Sequence, residues 1–268
     1  MKKKLTCLEI SATSNKKSAE KLNFEGDENA QIMRPSMCLQ TMTCKYNPDL
    51  VAVRDISKKA LDELEKMMGI AGYKMYIHPD WLDITSGNKG RYSCLQCLFV
   101  KKNNSLVFKQ ISGDEDYETT LRSVTGTIKF MGYKIYYRTE HIPMVDEELG
   151  KGWLEEQKDR KKKQLQAAIS FQEKHDNDLA INAGDFNGNG KKGVSCYCKA
   201  LYKNMCFTDL VSENTFGNTQ IDSVFISKGL KESKINVSVN VLNDFYLQYT
   251  DHKIMMITIE MPDESGIC

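Results

Sequence analysis

The sequence predicts a mixed α/β fold in which two β-sheets pack face to face and helices cover the outside. Three observations predict it. Strand-like apolar runs outnumber helical ones, and five of them follow one another between about residues 73 and 142. Amphipathic stretches suited to covering helices recur near both ends of that block. The chain has 268 residues with a hydrophobic fraction of 41%, enough for one large core or two small ones, and no Pro/Gly/Ser-rich linker divides it. Residues 1–268 therefore read as a single domain. So many strands in a chain of this length disfavour a plain doubly wound sheet.

The elements follow in order. Residues 3–10 alternate as a first strand, with Leu5, Cys7 and Glu9 on one face and Leu8 and Ile10 on the other. A helix is predicted from about Asn29 to Lys45, broken or begun near Pro35. "NPDLVAVRDIS" is a turn feeding a strand over Leu50 to Ile56, and "SKKALDELEKMMGI" is a helix whose Leu61, Leu64 and Met68 share a face and which Gly69 ends. "YKMYIH", "YSCLQCLFV", "LVFKQIS", "VTGTIKFM" and "YKIYYRTEHI" are strands separated by polar or glycine-containing turns. A long helix covers about Gly152 to His175, apolar along "LQAAISFQ" and basic along "KDRKKK", which reads as a solvated face. The strands "LAINAGDFN", "QIDSVFIS", "KINVSVNVL" and "HKIMMITIEM" complete the chain, with no internal repeat.

Composition narrows the function. With 37 basic and 36 acidic residues the formal net charge is +1, which excludes a strong global field for nucleic acid or anionic membrane but leaves room for a local basic groove. "LTCLEI" after the first lysines is interrupted by Glu9 and too short for an export signal or a lipid anchor at Cys7. No run approaches the roughly 18–20 apolar residues of a membrane span, so a soluble, cytoplasmic protein is expected. Nine cysteines without an export signal read as reduced thiols. Cys94 and Cys97 have a zinc-like spacing, but residues three apart in a strand point to opposite faces.

Several segments share a format, an apolar strand delivering polar residues at its end. "INAGDFN" delivers Asp185 and Asn187, "TQIDSVFIS" carries Asp222, "QYTDHKIMMITIE" begins with Asp251 and His252, "YYRTEHIP" ends at His141, and "LVAVRDIS" carries Asp55. Each alone has a bland explanation, since Asp and Asn form turns and a single His is usually structural. Together they specify a chemistry. Phosphodiester cleavage needs a cation to neutralise phosphate oxygens, a base to take a proton from water, and donors for the transition state. Asp55, Glu9 and Asp251 are hard oxygen ligands suited to Mg²⁺ or Mn²⁺. A histidine beside a carboxylate is a general base whose tautomer the carboxylate fixes.

"NAGDFNGN", "CFTDL", "NTFGNTQIDSVFIS" and "YTDHKIMMITIE", in that order, resemble the endonuclease/exonuclease/phosphatase superfamily, the fold of deoxyribonuclease I. "PDLVAVRDIS" and "RTEHIP" extend the resemblance over nearly the whole chain. It implies a four-layer α/β sandwich with two central mixed sheets. It also implies that His252 is the general base and Asp222 its orienting partner, that Asp185 and Asn187 position the water and the phosphate, that His141 binds a phosphate oxygen, and that Asp251 lies beside the metal. Two positions depart from the pattern: Glu9 stands where the family has Asn, and "VRD" stands where it has a Gln-Glu pair. Arg54, preceding Asp55 in a strand, is expected to point to the opposite face and not to compete for the site.

The resulting expectation is a Mg²⁺- or Mn²⁺-dependent phosphodiesterase, a nuclease with nucleic acid as its partner. Two alternatives stand beside it. One is a catalytically impaired relative that binds or inhibits, motivated by Glu9 and Asp55. The other is a phosphoesterase acting on phospholipid, inositol phosphate or a small nucleotide, which the near-neutral charge favours.

Overall fold

The computed structural model describes residues 3–12, 28–56, 58–78, 95–103, 105–111, 122–143, 145, 151–187, 199–242, 250 and 252–262. Cys94, Trp81, Tyr92, Lys191, Lys192 and Asp251 lie outside these residues.

Among the described residues, twelve strands fall into two six-stranded sheets. The first contains β1 (Lys4–Ser11), β2 (Leu50–Ile56), β3 (Tyr73–Ile77), β4 (Leu95–Lys101), β11 (Asn236–Val241) and β12 (Met255–Glu260), in the order β11-β12-β1-β2-β4-β3. The second contains β5 (Leu106–Gln110), β6 (Ser123–Phe130), β7 (Tyr133–His141), β8 (Ala180–Asp185), β9 (Thr208–Asp209) and β10 (Asp222–Ile226), in the order β5-β6-β7-β8-β10-β9. Each sheet has one parallel pair at its centre, β1 with β2 and β7 with β8, flanked by antiparallel neighbours. A parallel pair needs a crossover. Here α1 (Glu28–Tyr46) provides the first and α3 (Lys151–His175) the second, while α2 (Lys58–Ile70) follows β2. The two halves thus repeat one topology without a sequence repeat.

The alternation read in β1 explains the layering. Leu5 and Cys7 join Leu50, Ala52, Leu98, Ile128, Ile135, Ile181 and Val224 in the core between the sheets. Leu8 and Ile10, from the other face, pack with Val51, Val53 and Phe99 under Leu39 and Met42 of α1 and Leu61, Leu64 and Met68 of α2. On the far side, Ala180, Phe186 and Phe225 lie under Leu165 and Phe171 of α3 and Tyr202 of the short α4 (Lys199–Tyr202). The order is helix, sheet, sheet, helix, with three apolar interfaces.

Four sequence expectations change. Helix α1 runs through Pro35 rather than stopping there, one backbone donor short. Helix α2 ends at Ile70, one residue past Gly69. The short α5 (Lys228–Glu232), capped by the Ser227 side chain accepting from Leu230 N, lies between two runs read as strands, in residues left without an assignment. The two-residue β9 was too short to leave a periodic signal. Cys7, Cys38 and Cys97 are buried free thiols, and Cys44 and Cys206 are exposed ones. Among the described residues, no helix is long and apolar enough to cross a membrane.

Gly184 shows how tightly β7 and β8 meet. Its φ is 136°, and a Cβ there would sit 1.9 Å from the Glu140 carbonyl oxygen. Gly184→Ala must pry the central pair apart, so thermal unfolding is expected about 4–8 °C lower, from about 2 kcal/mol of strain. Gly69→Ala, in open space on α2, is the control and should be neutral or stabilising. An unchanged melting temperature for Gly184→Ala would refute the close apposition.

Candidate active site

Antiparallel and parallel pairing bring distant residues to one rim. The parallel strands β1, β2, β7 and β8 end there, carrying Glu9 and Ser11, Arg54 and Asp55, His141, and Asp185. Strand β10 runs antiparallel to β8, so its first residue, Asp222, stands opposite Asp185. Strand β12 runs antiparallel to β1, with Met255 opposite Glu9, which brings the preceding His252 to the same end. The carboxyl ends of central strands are where open α/β sheets bind ligands, because the loops diverge there.

His252 lies against Asp222, with Nδ1 at 3.0 Å from Oδ2 and 3.3 Å from Oδ1. Its backbone N–H donates to Thr250 Oγ1, and its ring packs on Phe216. With Nδ1 engaged, Nε2 faces Asp185 Oδ2 at 4.0 Å. Asp185 in turn accepts from the backbone N–H and the side-chain Nδ2 of Asn187, at 2.8 and 3.2 Å. Asn187 also donates to the Ile142 carbonyl at 2.9 Å, and its φ of 41° is a left-handed conformation that asparagine tolerates. His141 bridges two carboxylates: Nδ1 is 3.2 Å from Asp55 Oδ1, and Nε2 is 3.7 Å from Asp185 Oδ2. The structure therefore brings together Asp185, Asn187, Asp222, His252, His141 and Asp55.

A second tier lies beneath. Side-chain exposure falls from 13% at Asp55, 9% at His141 and 8% at His252 to zero at Glu9, Arg54 and Asp222. Glu9 accepts from Tyr137 Oη at 2.7 Å and Thr139 Oγ1 at 2.9 Å, and Gln96 Nε2 donates to that same Thr139 hydroxyl. Glu9 is thus held beneath the rim by groups from β4 and β7.

Arg54 corrects the sequence expectation. It does not turn away from the site: its Nη2 is ion-paired and hydrogen-bonded to Asp222, and its Nη1 lies 3.8 Å from Glu9 Oε2. Strand parity failed because the pairing of β2 with β4 shifts register between Val53 and Ile56, and Asp55 takes a φ of 59°. Such a bulge re-aims side chains, so Arg54 keeps the inward parity of Leu50 and Ala52 while Asp55 swings to the rim. Ser11 Oγ donates to Asp55 there at 3.2 Å.

The basic run of α3 also needs correction. Lys158 pairs with Glu155 and Lys163 with Asp159, so those charges are answered within the helix. Lys161 is buried, and its Nζ donates to the Asn187 carbonyl at 2.9 Å. The signal was present, since residues 161, 165 and 168 share a helix face with the apolar Leu165 and Ala168.

Electrostatics follow from burial and pairing. Burial pushes the Glu9 carboxyl up to about 7, against Arg54 and the two hydroxyls. Burial and the charge of Asp222 raise Asp185. Burial also works against ionised Asp222 and Asp55, but Arg54 and His252 hold Asp222 below the usual range, and His141 with His252 holds Asp55 well below it. Burial would lower His252, yet Asp222 outweighs it and raises the imidazole to about 9. Among the described residues, Glu9, Asp55, Asp185 and Asp222 thus sit around the buried Arg54 guanidinium and the imidazoles of His141 and His252.

That donor set fits a hard divalent cation, whose charge would relieve the raised Asp185. One oxygen each from Asp185 and Asp222 and one His252 nitrogen lie within 4.8 Å of one another. Asp222 in that group is already engaged by Arg54 and His252.

No family model matches the chain, and no curated protein matches it. Solved structures do. TDP2 of D. rerio, complexed with single-strand DNA product, aligns over 97% of this chain and 100% of its own at 13% identity and TM-score 0.63. The human Nocturnin catalytic domain with bound sulfate aligns over 97% and 94% at 13% identity and TM-score 0.59. An endonuclease/exonuclease/phosphatase family protein from Bacteroides thetaiotaomicron aligns over 97% and 98% at 12% identity and TM-score 0.60. With identity this low and coverage this complete, what is shared is the architecture: the chain has the same two-sheet α/β sandwich, of deoxyribonuclease-I type, as these structures.

Proposed function

We propose that the chain is a divalent-metal-dependent phosphodiesterase that cleaves nucleic acid with an activated water. One observation carries this reading: Asp222, His252 and Asp185, remote in sequence, form a continuous line at one rim, with Asp222 on Nδ1 of the imidazole and Asp185 facing Nε2. Asp222 holds the ring with Nε2 towards the cleft. A water between Nε2 and Asp185 could pass its proton to Nε2 while Asp185 directs its lone pair at phosphorus. Asn187 steadies Asp185 through two hydrogen bonds, and Lys161 steadies the Asn187 backbone. His141, at the rim, would meet a phosphate oxygen.

Asp55 and Asp185, with Asp251 from the segment before His252, would hold Mg²⁺ or Mn²⁺. Glu9, closed off beneath them, would contribute charge rather than a ligand atom. Such an ion would neutralise the phosphate oxygens and the developing transition-state charge. A fold shared with a protein seen on single-strand DNA product supports nucleic acid as the substrate class. The net charge of +1 and the internally paired basic run of α3 keep a small phosphoester as the competitor.

The buried Arg54 favours one second reading, a phosphate-binding relative without turnover, because a fixed cation already sits among the carboxylates. A panel of single- and double-stranded DNA, RNA, cyclic nucleotides and phospholipids, with Mg²⁺, Mn²⁺ or EDTA, separates the two. Turnover on nucleic acid that EDTA abolishes is expected, and silence across the panel would leave the second reading.

Removing His252 (His252→Ala) should lower kcat by about 10³-fold or more, and Asp222→Asn by about 10²-fold or more, with KM little changed. Full activity in either variant would refute the assignment.

The pH dependence has a definite sign. His252 accepts a proton only when neutral, and Asp222 raises its pKa to about 9, so kcat/KM should climb with pH through neutrality and level off towards that value. A bound cation shifts the rise to lower pH without reversing it. In Asp222→Asn the raising charge is gone, and whatever activity remains should reach its plateau at lower pH. A profile falling from neutral to alkaline pH would exclude His252 as the base.

A further inference from the structure

Neither the motif reading nor the proposed reaction uses Arg54, yet it lies among the carboxylates of the rim. It is fully buried. Its guanidinium joins Asp222 of one sheet to Glu9 of the other, and its Nε and Nη1 have no hydrogen-bond acceptor among the described residues. Glu9 meanwhile has both oxygens occupied by hydroxyl donors. A guanidinium held by packing with donors unsatisfied is there for its charge rather than for a complete hydrogen-bond set.

We propose that Arg54 is a resident cation of the site: it answers Glu9 and Asp222 permanently, weakens binding of a divalent ion, and confines that ion to the Asp55 and Asp185 edge. This rests on the reading of the rim as a metal-assisted active site. The physical reason is simple repulsion. A unit positive charge fixed among the ligands opposes a second cation, and the low-dielectric interior screens it poorly. Arg54 is a positioning residue here, because it touches no substrate. Charge balance within the cluster then becomes a device that sets how much free metal the protein needs.

The test is calorimetric titration of Mn²⁺ into the wild-type protein and three variants, with no substrate present. Arg54→Gln removes the charge and is expected to bind Mn²⁺ at least about tenfold more tightly. The same variant should melt lower than wild type in EDTA and recover more on adding Mn²⁺, because two buried carboxylates have lost their counter-ion. Glu9→Gln leaves Arg54 in excess and should weaken Mn²⁺ about fivefold or more. The double variant Arg54→Gln/Glu9→Gln loses one charge of each sign and should bind within about threefold of wild type.

Unchanged or weaker Mn²⁺ binding by Arg54→Gln overturns the proposal. If that variant does not fold, Glu9→Gln decides it, and unchanged affinity there overturns it equally. The substrate panel fails independently. A protein with no turnover whose Arg54→Gln variant gains Mn²⁺ affinity refutes the phosphodiesterase reading and keeps the resident cation. Turnover with no gain in affinity does the reverse.

Discussion

The ion pair between Arg54 and Asp222 joins the two sheets at the rim. Arg54 belongs to the first sheet and Asp222 to the second, so the contact crosses the sandwich where the apolar core gives way to polar groups. Glu9 reaches across the same gap to Tyr137 and Thr139, and Gln96 reaches to Thr139. Breaking a buried pair by removing one partner costs about 3–5 kcal/mol, chiefly because the other charge is left without compensation. The tier beneath the cleft therefore fixes the spacing of the sheets at their functional end. His252 depends on it, since the Asp222 that orients the imidazole is itself positioned by Arg54.

Much of this was legible in the sequence. The strand runs, the covering helices and the delivery of Asp185, Asn187, Asp222, His252 and His141 to strand ends all follow from periodicity and turn chemistry. The pairing of the halves did not follow, because equal topology needs no equal side chains. Arg54 was misplaced for a definite reason. Alternation is reliable only while a strand stays regular, and the irregularity sits at Asp55. Lys161 was masked by its neighbours: six residues dense in charge read as solvent-facing, although helical spacing puts one of them on the apolar side. The burial of Glu9 was implicit in the alternation that grouped it with Leu5 and Cys7.

The duplicated topology accounts for the position of the site. Each half contributes a parallel pair whose carboxyl ends open in the same direction, and the antiparallel neighbours β10 and β12 return Asp222 and His252 to that end. Residues as far apart in sequence as Glu9 and His252 thus reach one rim through two crossovers and two antiparallel pairings. Close approach of β7 and β8 at Gly184 sets the separation of His141 from Asp185.

The carboxylate at position 9 and the guanidinium at position 54 lie 3.8 Å apart, both fully buried, so a change in one is felt by the other at close range. A lineage that neutralised position 54 alone would leave the Glu9 carboxylate buried without its counter-charge. The two positions are therefore expected to evolve as a couple, drifting together to neutral residues or staying charged together. Descent should be written in that pairing more clearly than in either residue alone.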